Sequence, residues 1–229
     1  MTSARQPIST VVFDFDGVIA DTERLHLGAF QDAFADRGWT LDERAYFDRY
    51  LGWDDHGLVD AYARDHGFAV DAADAQALVD AKTRAFSRHL SSAAVVFPDA
   101  RACIEAMAAA FTLGIASGAQ GHEIVAILRA AGLLSFFQTI VAAEDVSACK
   151  PSPMPYLTAV ARLGADPAAC VAIEDSVAGL QAARAAGLRT IALTTTSPRH
   201  ALAGADLVVE SLAALTPDVV AALGGRPAL

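Results

Sequence analysis

Two hydrophobic rhythms divide the chain. Residues 9–13 (STVVF) form a short, β-branched, apolar run that leads straight into the cluster DFDGVIAD at 14–21, where Gly17 supplies a turn. This reads as a buried central strand ending in carboxylates. From residue 22 to about residue 90 the spacing becomes helical, with Leu25, Ala29 and Phe30 on one face, then Tyr46, Phe47, Tyr50 and Leu51, then Leu58, Val59 and Tyr62. Gly38, Gly52 and Gly67 punctuate this stretch, so four helices are predicted with no strand between them. After Phe97-Pro98-Asp99 the pattern changes again: a helix from about residue 100, a strand over 111–117 (FTLGIAS), and a helix through Ile124, Ile127 and Leu128 that stops at Gly132. Further strands are predicted at 139–142, 170–173, 190–193 and 206–209. Helices are predicted over 154–163 and 177–186, the latter closed by Gly187.

Strands and helices that alternate with short connections imply a parallel sheet covered on both faces. The expected fold is therefore α/β, a doubly wound, Rossmann-like parallel-sheet core from residues 1–20 and 96–229. Residues 21–95 form an inserted helical module after the first strand. Ligands of such sheets sit outside the carboxyl ends of the strands, near the topological switch point. Four polar clusters fall at predicted strand ends: Asp14 with Asp16, Ser117, Lys150, and Glu174 with Asp175.

Charge narrows the partners. A formal charge of −10 supplies no basic face for a nucleic-acid backbone. The same acidity repels a phosphorylated small molecule at long range, so a phosphate site here must carry local positive charge from a metal, a lysine or backbone N–H groups. Cys103, Cys149 and Cys170 are odd in number and scattered, without the spacing of a zinc site or redox pair, and read as reduced, mostly buried thiols. No apolar stretch reaches the ~18 residues of a membrane span, and no charged segment followed by a hydrophobic run precedes the first strand. No membrane partner and a cytoplasmic location are expected.

Two carboxylates at i and i+2 after a strand, Asp14 and Asp16, are able to hold one cation through a side chain and a backbone carbonyl, although short acidic strand ends also serve as caps and turns. Glu174 and Asp175 place a second acidic pair on the same predicted edge. Carboxylates gathered from separate strands are costly without a neutralising divalent cation, and Mg2+, which prefers oxygen, fits them. The bland alternative is that Asp175 or Ser176 caps the helix that follows. Lys150, one of two lysines in the chain with Lys82, sits between a strand and a helix, where it reads as a point charge for a phosphoryl oxygen or as a solvated loop residue. Ser117 and Gly118 offer a hydroxyl and N–H groups ahead of a helix, an anion cradle or a plain helix cap.

These segments, in this order, resemble the haloacid dehalogenase superfamily of phosphohydrolases. Its opening Asp-x-Asp-Gly-x-x-x-Asp is matched by Asp14, Asp16, Gly17 and Asp21, and its strand-end Ser or Thr by Ser117. Lys-Pro-x-Pro is matched by Lys150, Pro151 and Pro153, and Glu-Asp-Ser-x-x-Gly by Glu174, Asp175, Ser176 and Gly179. The helical insertion is similar to the cap of the subgroup with phosphoglycolate phosphatases and β-phosphoglucomutases, a cap that closes over the site and reads the leaving group. The resemblance implies Asp14 as nucleophile and Asp16 as acid and then base. It implies Mg2+ on Asp14, the Asp16 carbonyl, Glu174 and Asp175, and phosphate oxygens met by Ser117, Gly118 and Lys150. A monomer or homodimer acting on a small phosphorylated metabolite, a sugar phosphate or a phosphoglycolate-like ester, is expected.

Within the cap, His26 is a candidate beside the substrate or a packed hinge histidine. Trp53, Asp54, Asp55 and His56 are candidate specificity elements or the start of a capped surface helix. Mutase relatives carry a basic residue where this chain has Leu51, which favours hydrolysis over a phosphosugar mutase. Met154 stands where relatives have an acidic residue, which leaves Lys150 less tethered. A non-catalytic phosphate-binding protein of the same fold is the remaining alternative.

Overall fold

The computed structural model describes residues 6–51, 53–90 and 95–225. The chain divides into two compact units, Met1–Asp21 with Val96–Leu229, and Thr22–Val95.

The first unit is built on a parallel sheet of six strands among the described residues, ordered β3-β2-β1-β4-β5-β6. The strands are β1 (Thr10–Phe13), β2 (Thr112–Ala116), β3 (Thr139–Val141), β4 (Cys170–Glu174), β5 (Arg189–Leu193) and β6 (Leu207–Val209). The helices are α5 (Ala100–Ala108), α6 (Gly121–Ala130), α7 (Met154–Arg162), α8 (Val177–Ala185) and α9 (Pro217–Ala221), after the four of the second unit. β1 lies between β2 and β4, with Phe13 opposite Ile115 on one side and Ile173 on the other. All of β1 is buried, as a strand covered on both faces must be, which explains its unbroken apolar run. Val12 and Ala116 pack with Tyr156, Ala159 and Val160 of α7 and with Ala182 and Ala183 of α8. Because the chain moves outward from β1 to β3 and then returns to place β4 beside β1, the order reverses between β1 and β4.

The second unit contains α1 (Glu23–Ala35), α2 (Glu43–Ala45), α3 (Asp55–His66) and α4 (Ala72–Leu90). The second of the four expected helices departs from the simple pattern: after one turn it widens into a π-helical stretch, Tyr46–Tyr50, closed by Leu51 N–H donating to the Tyr46 carbonyl at 3.0 Å. Tyr46 and Tyr50 are both buried, and their hydroxyls donate to Glu23 (2.8 Å) and Asp65 (3.1 Å). Gly38 and Gly67 end helical segments at positive φ, 69° in each, where a Cβ would be strained. Gly52, the expected break between the second and third helices, lies outside the described residues. Asp54 caps α3 by accepting from Gly57 N–H at 2.7 Å.

Cys103, Cys149 and Cys170 lie outside any disulfide, and burial raises the thiols of Cys103 and Cys170 to about 11. Among the described residues no helix is long and apolar enough to cross a membrane.

Candidate active site

Asp14 directly follows β1, and its N–H continues the ladder to β4 by donating to the Ile173 carbonyl at 2.9 Å. Glu174 is the last residue of β4, and Asp175 follows it. The carboxylates therefore meet where the strand order reverses. Asp14, Glu174 and Asp175 are buried, and each offers an oxygen within 4.8 Å of the others. Lys150 reaches the same point from the loop before α7, its Nζ donating to Asp14 Oδ1 at 2.7 Å and to Glu174 Oε1 at 2.6 Å.

Loss of water dominates the electrostatics. Burial raises the Asp14 carboxyl from 3.8 to about 7, opposed by Lys150 and reinforced by Glu174 and Asp16. Asp175 is raised well above its ordinary value by burial, with Asp14 and Glu174 adding repulsion, while Thr196 and Lys150 oppose the shift. Burial works against the charge on Lys150, but Asp14 and Glu174 outweigh it and the ammonium is held more firmly than in water. With all three carboxylates ionised, one lysine leaves two negative charges in a buried site. A divalent cation cancels them, and an all-oxygen donor set suits a hard one.

Two glycines make this crowding possible. Gly17 has φ of +73°, and a Cβ there would lie 1.8 Å from Asp175 Oδ2. Gly179, in the first turn of α8, faces Glu174 so closely that a Cβ would lie 1.9 Å from Oε1. The glycines of the first and fourth motifs are thus the places where backbone meets carboxylate. Ser176 caps α8, its Oγ accepting from Gly179 N–H at 3.0 Å and donating to Glu174 Oε2 at 3.0 Å. The cap is part of the site.

Asp16 is partly buried in the turn after β1 and forms a bridge with Ala20. Asp21 is exposed. Ser117 is buried just past β2 at the same carboxyl edge, with its Oγ accepting from Ala119 N–H at 3.0 Å. The helix-cap alternative fails on position, since α6 starts at Gly121 with Gln120 as its N-cap. Gly118 is exposed, and a side chain there would meet nothing within 4 Å. Met154 is exposed, and Lys150 is nonetheless firmly tethered; the expectation of a looser lysine gives way because Glu174 holds it.

Three residues went unnoticed in the sequence. Tyr156 is fully buried and donates to Glu174 Oε1 at 2.8 Å, with the Lys150 ammonium 5.2 Å from its ring centre. Thr195 donates to the Gly17 carbonyl, and the Thr196 side chain hydrogen-bonds Asp175. A hydroxyl-rich turn after β5, and a tyrosine on the inward face of α7 six residues beyond Lys150, were the available signals.

The remaining candidates belong to the helical unit. His26 packs against Phe86 with ring centres 4.5 Å apart and planes tilted by 30°, and Trp53 is half exposed, with its ring beside Gly57. His56 is exposed. Asp55 accepts from Lys82 Nζ at 3.0 Å.

A doubly wound sheet that gathers carboxylates and a lysine at its switch point is the framework of an α/β ligand or enzyme site. The chain belongs to the haloacid dehalogenase-like hydrolases, whose family model matches residues 11–193. It is 32% identical to hexitol phosphatase B of Escherichia coli over 225 residues, 94% of this chain and 97% of that one. It is 33% identical to protein CbbY of Rhodobacter capsulatus over 195 residues, 80% of this chain and 84% of that one. The crystal structure of CbbY from Rhodobacter sphaeroides in complex with phosphate superposes with a TM-score of 0.82 at 30% identity, covering 91% of this chain and 96% of that one.

Proposed function

We propose that this hydrolase is a Mg2+-dependent phosphatase that cleaves a small phosphate monoester, a sugar phosphate or phosphoglycolate-like compound, through an aspartyl-phosphate on Asp14. The observation that carries the reading is the placement of Asp14 at the β1–β4 switch point, within 2.7 Å of Lys150 and beside Glu174 and Asp175. The phosphatase and phosphate-bound relatives support it.

Asp14, Asp175 and the Asp16 carbonyl would hold the cation, with the Glu174 carboxylate nearby, and its charge would offset repulsion between carboxylate and phosphate. An oxygen of Asp14 attacks phosphorus and the bond from phosphorus to the ester oxygen breaks, while Asp16 gives its proton to the departing alkoxide. Water then attacks the aspartyl-phosphate, the bond from phosphorus to Asp14 breaks, and Asp16 takes the proton back as inorganic phosphate forms. Lys150, Ser117 and the N–H of Gly118 stabilise the non-bridging oxygens. His26, Trp53 and His56 of the helical unit are the residues assigned to reading the leaving group. Leu51 packs against the apolar cluster of that unit and supplies no cation for a second phosphate, which favours hydrolysis over a mutase.

The test is phosphate release from a panel of monoesters by wild-type protein and Asp14→Asn, with and without a chelator. Turnover lost in both controls supports the reading. Turnover that survives Asp14→Asn rejects it.

A further inference from the structure

We propose that Tyr156 is a positioning residue for phosphoryl transfer, its hydroxyl fixing Glu174 so that Glu174 holds Lys150 against Asp14. This inference rests on the phosphatase reading above. Glu174 Oε1 accepts from Tyr156 Oη at 2.8 Å and from Lys150 Nζ at 2.6 Å. Its Oε2 accepts from Asp175 N–H and Ser176 N–H, each at 3.2 Å, and from Ser176 Oγ at 3.0 Å. The backbone side pins one oxygen, and Tyr156 and Lys150 share the other. Rotation of the carboxylate would break donors at both ends, so the direction it offers Lys150 is fixed.

The hydroxyl is the part of Tyr156 that the core does not need. The ring packs with Val12, Ala116 and Ala159, and phenylalanine would fill that space equally well. A buried phenol must still find an acceptor, and a tyrosine serving only the core could have used a backbone carbonyl. Here it uses the oxygen that also receives the lysine, and the ring lies 5.2 Å from the same ammonium. Hydrogen bond and ring constrain Lys150 together. This replaces the tether that Met154, exposed at the start of α7, does not provide.

Tyr156→Phe keeps the packing and removes the hydroxyl. It is expected to fold, to lower kcat about tenfold with KM little changed, and to lower it far less in a Lys150→Ala background, because a hydrogen bond to a charged group acts here through the lysine. A second readout is independent of turnover. The chain has two lysines, Lys82 and Lys150, so Nζ-labelled lysine gives two ammonium signals, assigned with Lys82→Arg. Tyr156→Phe should shift the Lys150 signal and speed its proton exchange while leaving Lys82 unchanged. An unaltered Lys150 signal overturns the inference whatever the substrate, and so does a kcat loss of equal size with and without Lys150. If wild-type protein turns over no ester while the Lys150 signal responds as expected, the phosphatase reading fails and the coupling of Tyr156 to Lys150 stands.

Discussion

Gly17 and Asp175 meet with no space for a side chain between them. A Cβ on Gly17 would lie 1.8 Å from Asp175 Oδ2 and 2.6 Å from Thr196 Oγ1, on a residue whose φ is +73°. Gly17→Ala therefore combines left-handed strain of roughly 1–2 kcal/mol with displacement of a carboxylate that the site requires. Activity should fall at least about a hundredfold in a protein that still folds, a loss of about 2.7 kcal/mol in transition-state stabilisation. Gly118→Ala is the control. It sits in open space and keeps its N–H, so it should retain activity within about tenfold. Equal losses in the two variants would refute the steric argument.

Gly179→Ala sets helix propensity against close approach. Alanine in the first turn of α8 favours the helix by about 1 kcal/mol, yet its Cβ would fall 1.9 Å from the Glu174 carboxyl carbon. Glu174 is buried and receives five donors, so it cannot retreat without breaking several of them. The steric term should dominate, with a lower melting temperature and loss of turnover. A more stable, active variant would show that the strand end yields more easily than these contacts imply.

In the helical unit, Lys82 is 1% exposed, its ammonium 5.5 Å from the ring centre of Phe30 and 5.0 Å from that of Phe86. Its carboxylate partner is Asp55, which remains 18% exposed. Asp55→Asn leaves the buried cation facing a neutral amide and should destabilise the protein by about 3 kcal/mol in chemical denaturation. Lys82→Met should cost less, because it removes the charge and keeps the apolar stem. Were Asp55→Asn neutral, solvent would have to reach Lys82 in a way its burial does not suggest.

The sequence carried the strand ends more clearly than their neighbours. The run of Val11, Val12 and Phe13 into Asp14, and that of Val171 to Ile173 into Glu174, are local patterns in which a period and a turn residue suffice. Nothing local says that β4 lies beside β1, and so nothing local says that Asp14 and Glu174 share a lysine. Tyr156 looked like any inward residue of an amphipathic helix, because its partner is 18 residues away. The bond from Thr195 to Gly17 spans 178 positions. The π-helical turn at Tyr46–Tyr50 was hidden for another reason. Tyr46 and Tyr50 are four apart and share a face in an ordinary α-helix too, so a search for a 3.6-residue period cannot register the wider turn.

The raised carboxyls give metal-free protein a characteristic response to pH. Asp14 has its folded pKa near 7 against an ordinary value of 3.8, and Asp175 is shifted in the same direction. Each binds its proton more tightly in the folded chain than in the unfolded one. The resulting stability is complete below the unfolded pKa and is lost as pH rises through the folded one. In the presence of a chelator the stability, and with it the melting temperature, should therefore fall between about pH 5 and pH 8, the loss in unfolding free energy being on the order of a few kcal/mol at most. Excess Mg2+ should flatten the slope by neutralising the same oxygens, and should itself bind more weakly as pH drops below about 7, where protons compete for Asp14. Asp14→Asn removes one titrating group and should shrink the chelator-dependent slope, which ties the slope to the site. A melting temperature in chelator that rises from pH 5 to pH 8 would have the opposite sign. It would mean that Lys150 alone keeps Asp14 ionised, and that the buried cluster needs no second cation to hold its charge.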